Sequence, residues 1–388
     1  MPEQGHSMSN IYLDHNATTA LDPRVLESML SWMQRQSGNP TSRHVFGRSA
    51  RDAVEHARTQ VAEACGAYAS QVIFTGSGTE ANNFAIKGIA GNQTGSQILY
   101  SAIEHPCVSR PAKAMQQLGC SSDIIGVDTN GILSQSQLQK QLQTSTSVAS
   151  VMLANNETGT IQNITEIAEL VRKAGAFMHT DAVQGLGKVP LSFMDLNVHA
   201  MTISSHKIHG PQGAAALILD KRVDIQPLLH GGGQERGLRS GTENVAAIVG
   251  FGTACELAVA NLTAFTHHTK MLRDTFELGL KALDVTIFGQ QTSRLPNTSF
   301  FALDGIEGET LVTALDRQGY AVASGSACSS DSTEPSHVLL AMGVKPDLAR
   351  GAVRVSFGAH NTLSQVTDFL TTLKNEILRL RQLTGIAA

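Results

Sequence analysis

The chain reads as an α/β protein, with a large domain built on a mainly parallel seven-stranded sheet and a smaller α+β domain. Seven apolar runs of strand length recur between residues 71 and 220: QVIFTGS, QILYSAIE, SDIIGVD, VASVMLANN, AFMHTDA, AMTISS and AAALILD, with helix-like stretches such as ITEIAELVRKAG among them. Near-continuous apolar runs alternating with amphipathic helices mark parallel strands covered on both faces. After about residue 260 the pattern changes to a long amphipathic stretch (KMLRDTFELGLKAL), strand-like pieces (LPNTSFFAL, VRVSFG) and a final helix (VTDFLTTLKNEILRLRQL). The expected division is 18–260 for the large domain and 8–17 with 261–388 for the small one, the N-terminal segment returning to complete it.

At 388 residues the chain is too long for one simple core. With 41% hydrophobic and 16% charged residues and a net charge of -4, it has an ordinary globular composition, and the mild acidity argues against nucleic acid as the main partner. No apolar stretch approaches the roughly 20 residues that span a bilayer. The start MPEQGHSMSN lacks the basic and apolar regions of a secretion signal, so a cytoplasmic location is expected, with residues 1–7 an unstructured leader ahead of Met8. Five cysteines (Cys65, Cys107, Cys120, Cys255, Cys328) without a C-x-x-C pair fit a reducing compartment and leave a thiol free to react.

Lys207 sits in SSHKIHG, just after the β-prone HAMTISS, and Asp181 lies 26 positions upstream in HTDAVQ. A lysine can form a Schiff base with pyridoxal phosphate (PLP), and an aspartate can hold the pyridine nitrogen protonated. Both follow predicted strands, where open α/β sheets bind ligands. GSGTEANN, between the strand QVIF and a helix, puts Gly78 and Thr79 at a helix N-terminus suited to a phosphate. His105, at the end of QILYSAIE, can stack on a flat ring and move protons. Asn156 and Glu157 in NNETG stand at another carboxyl edge; an amide there can bond the phenolic oxygen of PLP or a substrate carboxylate, and Gln184 is a second candidate for that oxygen. Ser204 and His206 flank the lysine as further phosphate donors, and no carboxylate or thiol at ligand spacing supports a metal at His206 and His209.

Cys328 lies in VASGSACSS, a run of small residues without apolar periodicity, unlike the core-type settings of Cys65 and Cys255. It reads as an exposed, travelling nucleophile, with Cys107, two residues from His105, as its rival. Arg354 in VRVSFG is flanked by apolar residues, as salt-bridge partners are, and its planar fork also suits a substrate carboxylate.

Taken together, IYLDHNATT, GNPTSRHVFG, GSGTEANN, EHP, NNETG, HTDAVQ, SSHKIHG, RSGTEN, SGSAC and VRVSFG, in this order along nearly the whole chain, resemble the cysteine desulfurases of the class V aminotransferase family, the NifS and IscS type. The resemblance implies PLP-dependent transferase fold type I and a homodimer. It further implies that Lys207 carries PLP, His105 stacks on it, Asp181 pairs with its nitrogen and Gln184 bonds its phenolic oxygen. Thr79, Ser204 and His206 would hold the phosphate, with Thr242 reaching in from the partner subunit, and Asn156 and Arg354 would hold the carboxylate of L-cysteine. Cys328, on a loop of about 323–333, would take the sulfur as a persulfide, leaving alanine, and pass it to an acceptor protein for iron-sulfur cluster assembly or other sulfur-containing products. The chain ends at NEILRLRQLTGIAA, without the longer extension with which housekeeping members dock their scaffold, so a nitrogenase-type or other dedicated acceptor is expected. A selenocysteine lyase, an aminotransferase and a catalytically silent scaffold are the alternatives, and Cys328 distinguishes the desulfurase from the other two enzymes.

Overall fold

The computed structural model describes residues 10–35, 38–93, 95–325 and 334–384. Its first elements are strand β1 (Ile11–Tyr12) and helices α1 (Pro23–Arg35) and α2 (Val45–Ala64). The central sheet follows as β2 (Val72–Thr75), β3 (Gln97–Ser101), β4 (Ser121–Ile125), β5 (Thr146–Ser150), β6 (Phe177–Asp181), β7 (Ala200–Ser204) and β8 (Ala215–Leu219), with α3 (Gly78–Ala90) after β2 and α4 (Pro106–Ala114) after β3. These seven strands are the seven apolar runs of the sequence. Their spatial order is β2-β8-β7-β6-β5-β3-β4. Strands β3 to β7 run parallel, and β8 is antiparallel to both β2 and β7. Every residue of β3, β7 and β8 is buried, in keeping with their mainly apolar sequences QILYS, AMTIS and AALIL, whereas the edge strand β4 is mostly exposed and reads SSDII. Strands β3, β5, β6 and β7 therefore deliver their carboxyl ends to one side of the sheet.

The helix Val245–Leu280 corrects the membrane expectation, because by length and composition it is apolar enough to cross a bilayer. Its apolar residues serve the core instead: Ala247, Ile248, Phe251, Ala254 and Cys255 are buried. A Cβ on Gly252 would lie 2.9 Å from the Ala57 Cα of α2, and one on Gly250 would lie 2.7 Å from the Met29 side chain of α1. Small residues let these helices approach closely, and they break up the run of large aliphatic side chains without making it polar.

Five short strands complete the fold: β9 (Thr286–Ile287), β10 (Thr298–Ala302), β11 (Tyr320–Ala321), β12 (Ala323–Ser324) and β13 (Ala352–Ser356). A four-stranded sheet has the order β12-β13-β10-β9, and β1 pairs in parallel with β11. Phe276, Phe301, Val353, Val355, Phe357 and Phe369 form the centre of a separate core on this side. Its partners Leu272, Phe276 and Leu280 come from the far end of the long helix, which runs unbroken through residues 260 and 261. The proposed division between two units thus falls within a helix, and the pairing of β1 with β11 supports the proposal that the N-terminal segment completes the second unit.

In β6, His179 is wholly buried between Ser150 Oγ (2.8 Å) and Thr202 Oγ1 (3.1 Å), and burial pulls its pKa down to about 3. The imidazole is neutral in the folded chain, while in the unfolded chain it titrates near 6.5. Between those values the unfolded state binds the extra proton, so stability falls as pH drops from about 6.5 towards 3. Thermal unfolding followed across this window is expected to show a shallower loss of Tm for His179→Asn than for the parent chain. Equal slopes would contradict the assignment.

Candidate active site

The carboxyl ends of β3, β5, β6 and β7, the start of α3, the segment after β1 and strand β13 enclose a chamber of about 450 Å³. Of the residues singled out in the sequence, Gly78, Thr79, His105, Asn156, Asp181, Gln184, Ser204, His206, Lys207 and Arg354 all line it.

At one end, Ser77 caps α3 by accepting the Glu80 N–H on its Oγ (3.1 Å). First-turn N–H groups have no partner within their own helix, and the positive end of the dipole adds to their attraction for anions. Gly78 is required by a close approach, since a Cβ there would lie 3.1 Å from Val183 Cγ2 and 3.6 Å from Ser204 Cβ. The Ser204 hydroxyl is buried against this turn without a hydrogen-bond partner, as expected of a donor awaiting a phosphate oxygen. His206 Nδ1 lies 3.2 Å from Thr18 Oγ1, and burial lowers its pKa to about 4, so it offers a neutral donor or acceptor.

In the middle, Lys207 ends a single 3₁₀ turn (Ser205–Lys207), and its Nζ donates to the carbonyls of Asn16 (2.6 Å) and Ala17 (2.7 Å). Asp181 accepts the Val183 N–H on Oδ1 (2.9 Å) and the Asn82 amide on Oδ2 (2.6 Å), which fixes its carboxylate at the chamber wall. His105 caps α4, its Nδ1 accepting the Cys107 N–H (3.2 Å) with Cys107 Sγ at 2.9 Å. Burial pulls the imidazole pKa below its usual value, partly opposed by Asp181, and the ring is neutral near pH 7. Cys107 Sγ also receives the Asn82 amide (3.0 Å), and burial pushes its thiol far up. A thiol held protonated is a poor nucleophile, so this environment disfavours the sequence rival to Cys328.

At the other end, the two asparagines of NNETG divide their work. Asn155 Oδ1 accepts the Glu157 and Thr158 N–H groups (both 2.9 Å) and builds the turn, while Asn156 lines the chamber. Glu157 is buried and accepts from Ser336 Oγ (2.5 Å). Arg354 is the salt-bridge partner that one sequence reading expected: Nη2 pairs with Asp14 Oδ1 (2.7 Å) and Nη1 donates to the Asn156 carbonyl (3.1 Å), while its buried Nε has no partner. Gln184 donates to the Asn16 carbonyl (2.9 Å) and accepts from Lys188 Nζ on Oε1 (2.5 Å).

Of the two expected residues still to be placed, only Thr242 is among the described residues, and it does not line the chamber. Thr242 is exposed on a loop tied to the start of α3 by Arg239 and Glu80 (2.7 Å). Cys328 lies outside the described residues; of its described flanks, Gly325 donates its N–H to the Ala352 carbonyl (3.0 Å). Four chamber or near-chamber residues went unread in the sequence: Asp14, Asn16, Asn82 and Lys188. The polar cluster of YLDHNATT after a two-residue strand was the available signal for the first two. Asn82 inside a helix and Lys188 four positions after Gln184 look like ordinary solvated residues.

The donor set fits PLP: an amine, a fixed carboxylate opposite it, and an unpartnered hydroxyl beside a helix start. The family model for aminotransferase class-V matches residues 11–369. A cysteine desulfurase IscS of Dictyoglomus turgidum is 41% identical over 378 residues, covering 96% of each chain. Among solved structures, one described as a NifS-like protein superposes with a TM-score of 0.89 at 38% identity, covering 96% of this chain and 100% of that one. A NifS-like protein from Rickettsia africae gives 0.87 at 37% identity, covering 94% and 99%.

Proposed function

The chain belongs to the class-V aminotransferase family, and on that premise we propose that it is a PLP-dependent L-cysteine desulfurase that converts L-cysteine to L-alanine. The observation that carries the site assignment is the convergence of Lys207, Asp181 and the unpartnered Ser204 hydroxyl on one chamber. When bound, PLP supplies an electron sink for the carbon bearing the substrate amine. Lys207 would provide the amine that holds the cofactor and the base that moves the substrate Cα proton. Asp181 would stabilise the protonated ring nitrogen by its negative charge, and His105 would offer a neutral acid–base group to the ring. Gly78, Thr79, Ser204 and His206 hold the phosphate. Arg354 and Asn156 orient the substrate carboxylate, Asp14 keeping the guanidinium in place.

The Cys328 thiolate attacks the substrate sulfur; the carbon–sulfur bond breaks, a sulfur–sulfur bond forms, and the carbon gains a proton. Cysteine plus thiol thus yields alanine plus persulfide, with no outside oxidant. Delivery of that sulfur to an acceptor protein, a homodimer in which Thr242 contributes to the neighbouring phosphate site, and a cytoplasmic location complete the reading. The exposure of Thr242 and its tether through Arg239 to the start of α3 support the dimer contribution. The test is to load the purified chain with PLP and supply L-cysteine and a thiol reductant. Alanine and sulfide are expected in equal amounts, and absence of alanine would overturn the assignment.

A further inference from the structure

Lys188 is 3% exposed, and no carboxylate pairs with it among the described residues. Its Nζ is held by two amide oxygens, Gln184 Oε1 (2.5 Å) and Asn16 Oδ1 (3.0 Å). Asn16 is locked in turn: Asn297 donates to the same Oδ1 (3.1 Å), and its own amide donates to Thr298 Oγ1 (2.8 Å) and the Asn156 carbonyl (3.2 Å). The Asn16 backbone carbonyl accepts from both Gln184 and Lys207. Both lysines therefore converge on one asparagine, and the Gln184 amide is held at both ends, its oxygen by Lys188 and one N–H by the Asn16 carbonyl. The other charged or titratable groups around Lys188 are Lys207, Arg354, His15, His206 and His209, all basic. A buried amine in such company is stable only when an anion or good acceptors compensate it.

We propose that Lys188 is a positioning residue of the cofactor site, fixing the orientation of the Gln184 amide and supplying a buried positive charge that the anionic ring oxygen of the cofactor neutralises. The proposal rests on the PLP reading of the chamber and adds to it a residue behind the wall. Burial, then the charges of Lys207 and Arg354, push the Lys188 pKa well down in the protein alone, so on this proposal the positive charge depends on the anion that the cofactor brings.

Lys188→Met and Lys188→Gln, made in the full chain and titrated with PLP, test this by visible absorbance in the absence of substrate. Lys188→Met removes both donor and charge. It is expected to weaken PLP binding about tenfold, the scale of one lost charged hydrogen bond. It should also raise by about one unit the pKa at which the bound cofactor changes colour, because loss of a nearby positive charge makes the nitrogen joining Lys207 to the cofactor easier to protonate. Lys188→Gln keeps a donor without the charge, so affinity should recover while the raised pKa persists. If the parent chain binds no PLP, the reading of the chamber fails, and this proposal with it. If the parent binds PLP and Lys188→Met matches it in affinity and colour transition, only the Lys188 proposal is overturned. Should Lys188→Met not fold, a parent-like pKa in Lys188→Gln overturns it equally.

Discussion

Lys207→Ala is expected to lower the turnover of L-cysteine by about 10²–10⁴-fold, the scale of losing a positioned proton-transfer group, even when PLP is added in excess. Loss of the covalent attachment adds to that effect. The fold should survive, because the turn carrying Lys207 is held by its backbone: Ser205 donates to Ala214 (3.1 Å), and Ile208 and Gly210 donate to Ser205 (3.0 and 3.1 Å). Of the two carbonyls that lose the amine, that of Asn16 keeps its bond from Gln184. Circular dichroism unchanged from the parent, with alanine formation lost, is the expected pair of results. Turnover at the parental rate would remove Lys207 from the mechanism.

Cys328→Ser is expected to abolish transfer of sulfur while leaving cofactor binding intact. The reason lies in the other cysteines. A thiolate is the attacking species, and an ordinary thiol with a pKa of about 8.5 is already partly ionised near neutral pH. Burial pushes Cys65 up to about 12 and pushes Cys107 and Cys255 up as well, and Cys107 is further committed to His105 and Asn82. Cys120 is buried in the core under α3 and α4. None of these can stand in, and a serine hydroxyl at 328 is a far weaker nucleophile. Alanine formation should fall by at least about 10³-fold, on the order of other losses of a nucleophile. The visible absorbance of bound cofactor should match the parent. Full activity in Cys328→Ser would exclude the desulfurase mechanism.

The sequence made the central sheet legible because parallel strands buried on both faces leave uninterrupted apolar runs, and all seven appear in order. The chamber was legible for a related reason: its residues follow strand ends, where Asp181, Asn156, His105 and Lys207 each interrupt an apolar run with a polar group. Asp14 and Asn16 follow a strand of only two residues, too short to carry a period, and their partners Arg354 and Lys188 lie about 340 and 172 positions away. No local pattern announces pairings at that separation. The long helix was misjudged because Gly250, Gly252, Thr253 and Glu256 interrupt its run of apolar side chains, although its mean hydropathy reaches 1.7. For Arg354 the salt-bridge reading holds, and the unpartnered Nε leaves a donor that the proposed carboxylate contact can use.

The most direct test of the central claim is reduction of the PLP-loaded protein with borohydride, followed by digestion and mass mapping of the peptides. The account predicts one pyridoxyl group per chain, on the peptide bearing Lys207. Attachment at Lys188 or another lysine, or no attachment at all, would contradict it.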